Sequence, residues 1–76
     1  MYDNKKREKF EELAEKRVTD TVKKIRLIGN LSNRNNYDYS DQHVKQILST
    51  LEEEIKILRA KFSESQREKD STFKFK

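Results

Sequence analysis

The sequence predicts an all-α protein, an antiparallel helical hairpin of two long amphipathic helices that assembles into a homo-oligomeric helix bundle. The chain has 76 residues, one glycine and no proline, so no residue interrupts a helix before position 29. Apolar residues recur at spacings of three and four on both sides of a polar stretch at residues 29–40. Charged residues make up 42% and hydrophobic residues 32%, a composition typical of either disorder or solvent-exposed helices, and the periodicity favours helices.

The first helix is predicted over residues 4–28. Gly29 follows the last periodic residue and predicts a left-handed helix end. Thr21 and Arg17 fall inside the apolar stripe, where the arginine can lay its methylene groups along the surface. The stripe consists of residues that share one face of a helix of period 3.6, namely Phe10, Leu13, Ala14, Val18, Val22, Ile25 and Ile28.

The second helix is predicted over residues 41–62. Ser40 or Asp41 can cap its first turn, the Asp41 carboxylate suits the positive end of the helix dipole, and Tyr39 can form a hydrophobic staple with Val44. The apolar residues alternate spacings of four and three in a heptad-like pattern, which Ile47 widens. This seam is Val44, Leu48, Leu51, Ile55, Leu58 and Phe62.

A single domain is therefore expected over residues 1–62, with a polar, flexible tail at 63–76. A chain of this size buries only about 60% of its unfolded surface, which favours self-association, most simply as a four-helix bundle. The alternative is a monomer in which Phe73 and Phe75 close the core. The residues predicted to form the core and oligomer interface are Val18, Val22, Ile25, Ile28, Leu48, Leu51, Ile55, Leu58 and Phe62.

The residue inventory argues against catalysis, metal binding and a cofactor. The sequence has no cysteine, a single histidine, no glycine-rich phosphate loop and no nucleophile elbow. His43 is expected to help cap the second helix rather than to catalyse a reaction. Asp38 and Asp41 are expected to cap turns rather than to share a proton, because so short a chain offers nothing to desolvate them.

Hydropathy and charge disfavour membrane and nucleic-acid partners. The longest uninterrupted apolar run is two residues, so no transmembrane span or signal-peptide core is expected and the protein is predicted to be cytoplasmic. The formal net charge of +4 is spread along the chain, and acidic residues interleave with basic ones. Basic stretches at residues 5–9 and 74–76 are therefore expected to be solvated, with binding to nucleic acid as the disfavoured alternative.

The connection at residues 29–40, GNLSNRNNYDYS, carries the strongest functional signal. It holds four of the five asparagines and two of the three tyrosines of the chain. It is also longer than the connection that usually joins the two helices of a hairpin. Successive turns explain the asparagines, which tolerate left-handed backbone, and Tyr39 can fold under the loop. The remaining residue types suit an anionic ligand with a flat ring: Arg34 for phosphate, Tyr37 for stacking, Asn33 and Asn36 for polar edges, with Arg26 and Lys24 nearby.

The run KKIRLIGNLSNRNNYDYS, continuing into VKQILSTLEEEI, resembles a group of short bacterial and mobile-element proteins in which an IR-x-IGNLSNR-x-NY-x-Y core lies between two helices. The resemblance covers about residues 17–62 and implies a two-helix arrangement but no activity. It depends mainly on Ile25, Arg26, Ile28, Gly29, Asn30, Leu31, Ser32, Asn33, Arg34, Asn36, Tyr37 and Tyr39.

In architecture alone, the chain is similar to the small helical-hairpin proteins that phages use as sponges. Those proteins oligomerise and sequester cyclic or ADP-ribose-derived nucleotide messengers of bacterial immunity, and the sequence shares no motif with them. The similarity implies an oligomeric nucleotide-binding protein. The competing hypothesis is a protein-interaction module or an inhibitor of a host defence enzyme, favoured by Leu27 and Ile57, which lie outside the core stripes.

Overall fold

The computed structural model describes residues 4–70, with side chains to residue 65, and this part is helical without strands. Helix α1 spans Lys5–Gly29, a short 3₁₀ turn spans Asn30–Ser32, and helix α2 spans Asp41–Asp70. The predicted all-α fold with two helices is confirmed. The chain divides into two compact units, the first ending at Asp38 and the second beginning at Tyr39.

Helix α1 begins without a side-chain cap. The carbonyl oxygen of Asn4 accepts a hydrogen bond from the backbone N–H of Glu8 at 2.9 Å. Within the apolar stripe, the Thr21 hydroxyl donates to the carbonyl oxygen of Arg17 at 2.7 Å. This bond satisfies the hydroxyl within its own helix, so a polar residue can occupy the apolar face without a partner from elsewhere.

The predicted left-handed end of α1 at Gly29 is wrong. Gly29 has φ −58° and ψ −30°, which are right-handed helical values, and the described residues contain no positive φ. The chain tightens into the 3₁₀ turn instead, and backbone N–H groups at the cap donate to the carbonyl oxygens of Arg26, Leu27 and Ile28. The turn thus satisfies carbonyls that a left-handed residue would otherwise have satisfied.

Helix α2 begins with a reciprocal cap between Ser40 and His43. The Ser40 Oγ accepts from the backbone N–H of His43 at 3.2 Å, and the His43 Nδ1 accepts from the backbone N–H of Ser40 at 2.9 Å. The same Nδ1 lies 3.2 Å from the Ser40 Oγ. This is a capping box in which an imidazole replaces the usual Glu or Gln, so Ser40 rather than Asp41 is the capping residue. The predicted role of His43 in capping α2 is confirmed.

The predicted end of α2 at residue 62 is also wrong, because the helix continues to Asp70. Residues 63–70 contain no glycine or proline and include several good helix formers, so the backbone stays helical after the apolar pattern stops. The predicted flexible tail is therefore helical over its first eight residues. Residues 71–76, with Phe73 and Phe75, lie outside the described part.

No side chain that the structure describes is buried in the single chain. The most protected residues are half-buried, and they are Leu13, Ala14, Tyr39, Val44 and Leu51. The residues predicted to form the core lie on the apolar faces of α1 and α2, where Leu51 is half-buried and the others are exposed. Their burial stays a prediction that needs a second apolar surface. The Tyr39–Val44 staple also stays a prediction, although both side chains are half-buried.

We expect Gly29→Ala to raise the free energy of unfolding by about 1 kcal/mol, because alanine is the better helix former at a helical φ. A Cβ atom at this position would meet nothing within 4 Å. Gly29→Asn is the matched control and should gain less. Thermal unfolding followed by far-UV circular dichroism measures both. A destabilised alanine variant beside a tolerated asparagine variant would show that Gly29 needs a left-handed conformation.

We expect His43→Ala to cost about 1 kcal/mol of helix stability, since it removes the acceptor for the Ser40 amide. His43→Gln should recover most of this loss, because glutamine can fill the same place in a capping box. Gln42→Ala, one residue earlier in the first turn, is the control. Urea unfolding measures all three variants, and equal losses in the His43→Ala and Gln42→Ala proteins would contradict a capping role.

Candidate ligand-binding loop

The connection after α1 is organised by Asn33. Its side-chain Oδ1 accepts from the backbone N–H of Asn35 at 2.9 Å. Its carbonyl oxygen accepts from the backbone N–H groups of Asn36 and Tyr37, at 3.1 and 3.0 Å. The backbone of Asn33 is extended, with φ −71° and ψ 102°. The residue therefore forms an Asx turn and holds the next turn with its carbonyl group.

This geometry divides the asparagines of the loop by role. Asn30 belongs to the 3₁₀ turn, and Asn33 uses its side-chain oxygen to hold the chain. Asn36 contributes its backbone amide to the turn, and its side chain is exposed. The prediction that asparagines build turns is confirmed at Asn33. The amide of Asn36 is the better candidate for contact with a ligand, because the turn does not depend on its side-chain atoms.

The two tyrosines of the connection differ in exposure. Tyr37 follows the Asn33 turn and is 48% exposed, whereas Tyr39 precedes the α2 cap and is half-buried. The ring of Tyr37 therefore offers a surface on which a flat aromatic group can stack. Its backbone N–H donates to Asn33, which fixes the main chain from which the ring projects.

The basic residues near the loop do not all share one surface. Arg26 is in the last turn of α1, where a positive charge is favourable at the negative end of the helix dipole. Lys24 precedes it by two residues, and residues two apart on a helix point to different sides. The helix thus separates two cations that the sequence prediction grouped. Arg34 is exposed and lies inside the turn that Asn33 closes.

All six residues predicted to bind a ligand lie in the first compact unit. They are Lys24, Arg26, Asn33, Arg34, Asn36 and Tyr37, and every one is exposed. Residues 24–38 carry three positive side chains and one negative side chain, Asp38, for a net charge of +2. The surface therefore suits an anion, but a ligand held only by these exposed groups would remain in contact with water.

In the part of the chain with described residues, no cluster of three or more histidine, cysteine or acidic side chains is placed to hold a metal ion. No helix there has an apolar stretch long enough to cross a membrane. Comparisons with protein-family models, with curated proteins and with solved structures found no match.

Proposed function

We propose that the protein is a small, non-enzymatic, homo-oligomeric binding protein whose loop after α1 holds an anionic, nucleotide-type ligand. The observation that carries the proposal is the Asn33 turn. It holds the backbone through three hydrogen bonds of 2.9 to 3.1 Å, so Arg34 and Tyr37 stand on a defined main chain. A pre-formed loop loses less conformational freedom on binding than a flexible one.

Each residue of the loop has a distinct part in this proposal. The Arg34 guanidinium pairs with phosphate oxygens, which its planar fork of donors suits. The Tyr37 ring stacks on the base, and the Asn36 amide bonds to the polar edge of the base. Asn33 maintains the turn instead of reading the ligand. Arg26 and Lys24 contribute positive potential rather than direct contacts.

Self-association completes the proposed site. The apolar faces of α1 and α2 are exposed in the single chain, and a helix bundle formed with a second copy would cover them. The same assembly would bring loops of different copies into reach of one ligand and exclude water from it. In a bacterial cell or during phage infection, such a protein could act as a sponge that lowers the free concentration of a signalling nucleotide.

A second candidate function is binding to a protein, for example as an inhibitor of a host defence enzyme. It is favoured by Leu27 and Ile57, which are 63% and 42% exposed and lie outside the predicted stripes. Exposed apolar patches rimmed by polar residues mark sites of protein–protein interaction. Nucleic-acid binding is weaker as a third candidate, because Glu8, Glu11 and Glu12 interleave with the basic residues of α1.

We expect Arg34→Ala to abolish the ligand-induced rise in melting temperature and to leave the oligomer intact. The assay is thermal unfolding of the full chain against nucleotides, cyclic dinucleotides and short oligonucleotides, with mass by light scattering. Lys16→Ala is the matched control, because it removes one positive charge from α1 far from the loop in sequence. Arg34→Lys should recover only part of the shift.

Three results would contradict the nucleotide proposal. An Arg34→Ala protein that unfolds in the absence of ligand would make Arg34 a structural residue. An equal loss of binding in the Lys16→Ala protein would indicate general charge attraction. A stable oligomer that responds to no compound in the panel would favour the protein-interaction alternative, whose surface includes Leu27 and Ile57.

We expect Asn33→Ala to cost about 1 kcal/mol, since it removes one side-chain hydrogen bond and frees the turn. Asn33→Asp keeps an oxygen acceptor and should retain the turn. Asn36→Ala is the matched control and should leave stability unchanged while weakening ligand binding. Melting curves with and without nucleotide separate the two effects. If Asn36→Ala destabilises the protein as much as Asn33→Ala, the division of roles is wrong.

A further inference from the structure

Helix α2 carries a continuous apolar seam along most of its length. Its six residues are Val44, Leu48, Leu51, Ile55, Leu58 and Phe62. Phe62 lies 18 positions after Val44, which is about 27 Å of helix at 1.5 Å per residue. Val44 and Leu51 are half-buried, and the other four are 49–58% exposed. A seam of this length needs a partner of matching length and period.

The seam has the heptad positions of a coiled coil. Leu48, Ile55 and Phe62 occupy the a positions, and Val44, Leu51 and Leu58 occupy the d positions. A β-branched residue at a central a position with leucine at the neighbouring d positions favours two strands. The flanking charges then decide how the two strands are oriented.

The flanking positions carry charges in a different order on the two sides of the seam. The e positions hold Lys45, Glu52 and Arg59, and the g positions hold Ile47, Glu54 and Lys61. All six are exposed and lie in the described part of α2. In a parallel pair, a g residue faces the e residue of the following heptad on the other strand. In an antiparallel pair, e faces e and g faces g.

A parallel, in-register pair brings opposite charges together. Glu54 faces Arg59 of the second copy, and symmetry repeats this contact, which gives two ion pairs. Glu52 faces the uncharged Ile47 of the second copy. No like charges meet at the e and g positions of this stretch, so the flanks support the apolar seam.

The antiparallel arrangement that would match all six seam residues brings like charges together. It pairs Val44 with Phe62, Leu48 with Leu58 and Leu51 with Ile55. At its flanks, Glu52 faces Glu52 of the second copy, and Glu54 faces Glu54 of the second copy. The flanks also place Lys45 against Arg59 twice, so four contacts join like charges. Like charges that face each other across an interface disfavour it.

We infer that α2 is the self-recognition helix of this protein, and that two copies join through it in parallel and in register, with Glu54 of each copy paired to Arg59 of the other. This inference rests on the self-association part of the proposed function and is independent of its ligand. It names the second copy as the occupant of the exposed α2 seam.

Charge variants of the full chain test the orientation. Arg59→Glu should raise the dissociation constant of the dimer about 10-fold, because it sets Glu54 against glutamate in two symmetric contacts. Glu54→Arg should do the same, and the double swap E54R/R59E should return to within about twofold of the wild type. The matched controls are Glu53→Arg and Lys56→Glu, which change the net charge equally at positions away from the seam.

Sedimentation equilibrium at low and high salt measures these constants. In the antiparallel arrangement, position 59 of one copy faces Lys45 of the other, so Arg59→Glu would bring opposite charges together and tighten the dimer. A tighter R59E dimer would therefore overturn the inference. The inference would also fail if the controls weakened the dimer as much as the seam variants, or if the wild-type chain were monomeric. A monomeric chain that still binds a nucleotide through Arg34 would leave the ligand proposal standing.

A cysteine cross-link provides a second test that does not depend on charge. The sequence contains no cysteine, so Val44→Cys introduces one thiol per chain near the start of the seam. In the parallel pair the two thiols lie side by side, and oxidation should give a disulfide-linked dimer. In the antiparallel pair they lie about 27 Å apart. Failure of V44C to cross-link, with cross-linking in a mixture of V44C and F62C, would establish the antiparallel arrangement.

Discussion

The exposed apolar faces of the two helices are the constraint on which the rest of this protein depends. Every side chain described between residues 4 and 65 keeps some contact with water in the single chain, and the best protected are only half-buried. Amphipathic helices gain most of their stability from tertiary packing rather than from helix propensity. The charge pattern beside the α2 seam and the loop after α1 therefore accompany apolar faces that the single chain leaves exposed.

The sequence was sufficient to predict both helices, because apolar spacing and the scarcity of glycine and proline act locally. The observed α1, Lys5–Gly29, differs from the predicted range by one residue at each end, and α2 begins at Asp41 as predicted. Ser40 was one of two capping candidates, and only the geometry distinguished it from Asp41. The hydrogen bonds of His43 with Ser40 decided the matter, since they use both backbone and side-chain atoms of the serine.

The two wrong helix ends have a common cause. Apolar periodicity reports which face of a helix is covered, and it carries no information about how far the backbone stays helical. The seam of α2 stops at Phe62 while the helix continues to Asp70, and Gly29 is compatible with a right-handed helix as well as with a left-handed end. In the loop, residue types pointed to an anion, but only hydrogen bonds could assign Asn33 to the turn. Lys24 and Arg26 lie on different sides of α1. Predicting this would have required the helical period to be applied to the charged residues as well as to the apolar ones.

The cap of α2 also determines the chemical form of its histidine. Because the Nδ1 atom of His43 accepts the Ser40 amide, a neutral ring must carry its proton on Nε2. The Nε2 atom is then a hydrogen-bond donor. The lone pair of Nδ1, which is the ring's only acceptor, is already used by the Ser40 amide. The ring-nitrogen chemical shifts of this single histidine should consequently differ between a formed and an unformed helix start. The protein thus contains, at one residue, a natural spectroscopic reporter of tautomer and of helix initiation.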